Sequence, residues 1–161
     1  MLLALCLALG ATAAVAQTRS ASRQWILFQP QTQSGATVAR GSVKGALADE
    51  VVRQVNAERR KAGLNALQVS AELTRAARVR ATEIARKFSH TRPDGSSWRT
   101  VSASAYGENI AMGQRTADKV MAAWMTSAGH RANILRASYG SIGVCACVSG
   151  GVTYWVQLFG R

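Results

Sequence analysis

Acidic side chains are scarce in this 161-residue chain: 8 Asp and Glu stand against 20 Lys and Arg, giving a formal charge of +12. Histidine and proline each occur twice, cysteine three times, and aromatic residues make up only 6%. Two prolines exclude a collagen-like or proline-rich extended chain, and 48% apolar residues supply a core, which excludes a wholly disordered one. No apolar run is long enough for a permanent anchor, since the longest, Leu2 to Leu9, falls far short of the roughly 20 residues that span a bilayer as helix. The basic excess suits any anionic partner. Nucleic acid is discounted among these, because the basic residues are not interleaved with aromatics as a stacking platform needs, and no reading motif is present.

The first sixteen residues, MLLALCLALGATAAVA, pair an apolar run with small residues and end in Ala14-Val15-Ala16. This is the pattern of a secretory signal peptide with cleavage after Ala16, and it predicts a secreted or periplasmic protein. No Lys or Arg precedes the apolar run. All the charge then belongs to the exported chain. Residues 17–45 read as a flexible basic arm carrying Arg19, Arg23, Arg40 and Lys44, with one apolar island at Trp25-Ile26-Leu27-Phe28. Cys6 lies in the leader, which leaves Cys145 and Cys147. Two cysteines are too few for a disulfide scaffold. Residues two apart on a strand lie near the upper limit of disulfide reach, so two buried thiols are expected in preference to a strained or intermolecular bridge.

From Ala46 the pattern becomes that of one folded domain reaching to Arg161. Leu47, Val51, Val52 and Val55 recur at helical spacing, with Arg59, Arg60 and Lys61 in the last turn, where cations suit the helix dipole, and Gly63 as a stop. A second helix opens at Ser70 as N-cap and buries Leu73, Ala76, Ala77, Ala81 and Ile84, a small-residue face that lets a neighbour approach closely. Pro93-Asp94-Gly95 marks a turn. A third helix covers 116–127, with a short helical turn near Asn133. The runs 142–148 and 153–159, joined by Ser149-Gly150-Gly151, form a hairpin. Helices first and a hairpin last define an α+β class with an antiparallel sheet.

Both histidines of the exported chain, His90 and His130, sit at breaks in the helical pattern, and Glu108 is an isolated carboxylate in Tyr106-Gly107-Glu108-Asn109-Ile110. Two imidazoles and a carboxylate are the side chains that hold a divalent transition metal or work as acid and base, provided the fold brings them together. Their spacing matches no local zinc motif. The alternative is that each histidine hydrogen-bonds locally to hold a loop.

The ordered series Asn56-Ala57-Glu58-Arg59, Phe88-Ser89-His90, Tyr106-Gly107-Glu108-Asn109-Ile110-Ala111, Gly129-His130-Arg131-Ala132-Asn133 and Tyr154-Trp155-Val156-Gln157 resembles the CAP superfamily. That family comprises cysteine-rich secretory, antigen 5 and pathogenesis-related proteins, and the likeness is greatest to short bacterial SCP-like members. The resemblance implies a three-layer α-β-α sandwich with a central antiparallel sheet. It also implies a cleft lined by two histidines and two acidic residues, which binds zinc in some members. His90, Glu108 and His130 match three of these places, while Ser127 stands where many relatives carry the second acid, three residues after Trp124. His90 and His130 are thus the candidate zinc ligands, with reduced affinity because Ser127 adds no charge.

These residues favour an exported protein that binds a ligand or partner in the envelope or outside the cell, with an anionic surface as one partner. A secreted hydrolase and a lipid or sterol carrier are the alternatives. Ser127 near His130 invites the former, yet no G-x-S-x-G elbow surrounds it and no third orienting group is identifiable. A capping role for Ser127 is the simpler expectation. A carrier needs an apolar groove.

Overall fold

A computed structural model describes residues 42–161. The expected leader at 1–16 with its cleavage after Ala16, the Trp25–Phe28 island and nearly all of the expected 17–45 arm lie outside the described residues. The arm's last residues are ordered: Ser42–Val43 form a strand, β1, against the hairpin, and the first helix begins at Gly45, one residue earlier than its apolar pattern.

Helix α1 (Gly45–Lys61) buries Ala48, Val51, Val55 and Arg59, a stripe repeating every three or four residues. Arg59 corrects the reading of the last turn as simple dipole chemistry. It is 1% exposed, and its guanidinium donates to the carbonyls of Asn65, Ile134, Arg136 and Tyr139 at 2.8–3.2 Å. Burial without a carboxylate lowers its pKa. The four carbonyls compensate the desolvated cation and tie the end of α1 to the turn before the hairpin.

Helix α2 (Ala71–Arg86) starts where Ser70 Oγ accepts from Leu73 N–H, as its N-cap position requires. Its face of Ala76, Ala77 and Ala81 lies on the sheet, and Gly143 completes the fit. A Cβ on Gly143 would collide with the backbone of Leu73 and Thr74. Leu73 and Ile84, both buried, contribute about 2 kcal/mol each through burial. Helix α3 (Ala117–Thr126) is capped by Thr116, and a fourth helix, α4 (Ala128–Ile134), carries His130.

Strands β4 (Ser141–Ser149) and β5 (Val152–Gly160) pair antiparallel through a two-residue turn, in which Gly150 and Gly151 both take positive φ, as a tight hairpin demands. Strand β3 (Gly107–Met112) pairs antiparallel with β5, and β2 (Gln68–Val69) joins β4 in parallel. The sheet, in order β1-β4-β5-β3, is therefore antiparallel along its main path with one short parallel addition.

Alternation along the strands divides the core. Ile142, Val144, Ala146, Trp155 and Phe159 pack with α1, α3 and α4, whereas Cys145, Cys147, Val156 and Leu158 pack with α2. Helices on both faces make the sandwich. The cysteines are free buried thiols, and burial chiefly pushes Cys145 up to about 12.

Candidate functional site

The site is built at β3, where consecutive residues point to opposite faces. Glu108 turns toward α2 and is fully buried. Its Oε1 accepts from Arg80 Nε at 2.7 Å, and its Oε2 lies 2.6 Å from His90 Nδ1. Arg80, itself 0% exposed, also bonds Glu83 at 2.6 Å and the Ser89 carbonyl at 2.7 Å. Glu83 in turn receives Arg92. Burial opposes ionisation of Glu83, but hydrogen bonds from Arg92 and Arg80 outweigh it and hold the carboxyl below its usual range. For Arg80, burial is likewise outweighed by bonds to Glu108 and Glu83, and its pKa rises.

The result is a continuous chain, Arg92–Glu83–Arg80–Glu108–His90, running from the loop after α2 into the sheet. It ends on an imidazole whose side chain is 55% exposed. His90 is also fixed through its backbone, where its carbonyl accepts from Trp98 N–H at 3.1 Å and closes the loop around the Pro93-Asp94-Gly95 turn. A carboxylate on Nδ1 fixes ring orientation, and Nε2 makes no hydrogen bond among the described residues.

Asn109 turns to the other face. Its amide donates to the His130 carbonyl at 3.1 Å and to Gln157 Oε1 at 3.0 Å, while Asn133 donates to Asn109 Oδ1 at 2.9 Å and to the Glu108 carbonyl at 3.2 Å. These amides lock α4 onto β3. The His130 ring is half-buried, and burial, followed by the charge of His90, lowers its pKa.

The four candidate residues thus divide between two neighbouring hollows. His90 and Glu108 line a cleft of about 620 Å³ together with Trp98, Tyr106, Arg136 and Arg161. His130 and Ser127 line a second hollow of about 310 Å³, with Phe88, Ile110, Met112 and Trp124. Ser127 stands at the N-cap position of α4, but its side chain makes no cap hydrogen bond, which corrects the capping expectation. No hydrogen bond joins its hydroxyl to His130 among the described residues, so the serine lacks an activating base in this conformation.

Both Glu108 oxygens are engaged by Arg80 and His90. Among the described residues no group of three or more His, Cys, Asp or Glu side chains is placed to hold a metal ion. The donor set therefore does not fit a closed four-ligand zinc site. Arg80, Glu83 and Arg92 were not singled out by sequence reasoning. The available signal was an arginine inside the buried stripe Leu73, Ala76, Ala77, Ala81 and Ile84, where a charge needs a partner.

A helix-flanked sheet with this histidine–glutamate pair in a surface cleft defines a CAP-type domain. The sequence pattern of the CAP (cysteine-rich secretory protein) family matches residues 52–159, and the chain belongs to that family. It is 38% identical over 135 residues to a Bacillus subtilis (strain 168) protein described as uncharacterized protein YkwD, an alignment covering 79% of this chain and 52% of that one. The chain thus spans about half the length of that curated relative. Its fold is similar to that of an outer surface protein from Borrelia burgdorferi, with TM-score 0.64, 19% identity, and coverage of 75% of this chain and 98% of that chain. An extracellular SCP-domain protein from Bacillus anthracis str. Ames is also similar, with TM-score 0.63, 21% identity, and coverage of 72% of this chain and 40% of that chain. Among the described residues no helix is long and apolar enough to cross a membrane.

Proposed function

We propose that this protein is an exported binding protein whose ligand, a component of the cell envelope or its surroundings, seats in the cleft over His90. The observation that carries the reading is the buried Arg80–Glu108 pair holding an exposed imidazole at the cleft. Burying ions carries a desolvation penalty that apolar residues would avoid, so a pair that ends by orienting one surface ring is better explained by that ring's work than by stability. Zinc would find two imidazoles, His90 and His130, and no carboxylate, which makes it a weak, secondary occupant. A hydrolase would need a nucleophile with its base in reach, and Ser127 has none.

One observation favours the carrier reading as the second choice. The hollow beside His130 exposes Phe88 and Met112 at 44% and 48%, and the Gln114 Oε1 on its wall is buried without a partner. An apolar molecule with one hydroxyl would suit it.

The test is co-sedimentation of the full exported chain with purified peptidoglycan sacculi retaining their attached polymers. Wild type should pellet and His90→Ala should remain largely in solution. Equal pelleting of both would reject the cleft, and pelleting of neither, with a fluorescent sterol bound instead, would favour the carrier. N-terminal sequencing of the exported chain should begin at Gln17.

A further inference from the structure

The acidic residues account for themselves closely. All eight lie among the described residues: Glu50 and Glu58 pair within α1, Glu83 and Glu108 hold Arg80, Glu72, Asp94 and Asp118 meet Ser102, Ser96 and Gln54, and Asp49 is exposed on α1 and does not line the His90 cleft. Among the described residues, three exposed arginines at the His90 cleft, Arg99, Arg136 and Arg161, form no ion pair with a carboxylate.

They are not loose charges. Arg161 and Arg99 lie over the Tyr106 ring with guanidinium carbons 4.6 and 5.4 Å from its centroid, and Arg136 lies 5.5 Å from that of Tyr139. Cation–π contacts restrain the guanidiniums before any ligand arrives, which lowers the ordering cost of binding. The Tyr139 ring is itself fixed, stacked on Phe159 at 5.3 Å with its hydroxyl donating to the Tyr106 carbonyl. The carboxylate inside the cleft does not cancel this charge, because Glu108 is already matched by Arg80.

The rest of the lining supplies a second criterion. Among the described residues no leucine, isoleucine or valine lines the cleft, so an acyl chain would gain little there, whereas the partly exposed Trp98 and Tyr106 offer aromatic faces among hydrogen-bonding groups. Its volume of about 620 Å³ admits more than a lone anion. Resting on the cleft reading above, we propose that the ligand is an acidic oligosaccharide, whose carboxylate or phosphate groups are received by Arg99, Arg136 and Arg161 while a sugar ring packs against Trp98. Guanidinium recognises either acid through paired hydrogen bonds, so the chemistry they share is what the cleft selects.

Titration calorimetry and tryptophan fluorescence of the full exported chain test this with four probes: tetragalacturonic acid, mannose 6-phosphate, neutral maltotetraose and a thymidine tetranucleotide. An acidic sugar should bind at least tenfold more tightly than maltotetraose, and the better of the two identifies the acid group. Affinity should fall with added salt, and Arg99→Gln, Arg136→Gln and Arg161→Gln should each weaken it roughly five- to tenfold. The three side chains are exposed, so the variants retain the fold, which circular dichroism verifies. The inference is overturned if maltotetraose binds as well as the acids, if the tetranucleotide binds more tightly than both, or if the arginine variants bind unchanged. Should wild type but not His90→Ala pellet with sacculi while the acids bind no better than maltotetraose, the cleft reading stands and this inference alone falls. Acid binding unchanged in the arginine variants and in His90→Ala would remove both.

Discussion

Two neighbouring residues of β3 solve the same problem by opposite chemistry. Glu108 meets the α2 side with full charges, in a chain through Arg80 and Glu83 to Arg92. Asn109 meets the α4 side with neutral amides from Asn133 and Gln157. Each network secures one histidine, but at different atoms. The ionic network grips the His90 ring through Nδ1, whereas the amide network grips only the His130 backbone carbonyl. Ring orientation is therefore imposed at His90 and left to packing at His130. A buried ionic chain is the costlier construction, and it has been placed where a side chain, not merely a helix, must be aimed.

The largest expected effect comes from breaking the ionic side. Arg80→Met leaves Glu108 buried with His90 as its only side-chain partner among the described residues and should lower unfolding stability by about 3–5 kcal/mol, read from chemical denaturation. Arg80→Met with Glu108→Gln should recover part of that loss, since the uncompensated charge is gone. An additive double variant would show that the pair is not coupled. The amide side should break more gently. Asn133→Ala removes hydrogen bonds to Asn109 and to the Glu108 carbonyl at a cost of about 1–3 kcal/mol, with α4 rather than the α2 loop gaining hydrogen exchange.

Much of the scaffold was legible because its signals are local. Ser70 and Thr116 cap helices, Gly150-Gly151 turns the hairpin, and the alanine face of α2 lies close on β4. Family motifs carried His90, Glu108 and the sandwich. What escaped was non-local. Strand β3 is hidden in the sequence, since a buried Glu-Asn pair interrupts any apolar alternation and is explained only by partners 18 to 48 residues away. Arg59 looks like a terminal cation because three of its four carbonyl partners lie 75 to 80 residues away. The division of the site into two hollows is also invisible, since motif order says nothing of which face of the sheet a residue takes.

The smallest effect sharpens the comparison most. Burial is the first cause of the lowered His130 pKa and the charge of His90 the second, so His130 holds fewer protons in the folded than in the unfolded chain through the region just below pH 6.5. Its contribution is therefore fully present above about pH 6.5, the ordinary imidazole value, and declines as pH falls toward the folded pKa, below which it is constant. Histidine NMR should place the His130 midpoint below 6.5, and His90→Ala should raise it without restoring the ordinary value, because burial remains. If His90→Ala left the midpoint unmoved, the rings would be electrostatically independent, and the two hollows would have to be treated as separate sites.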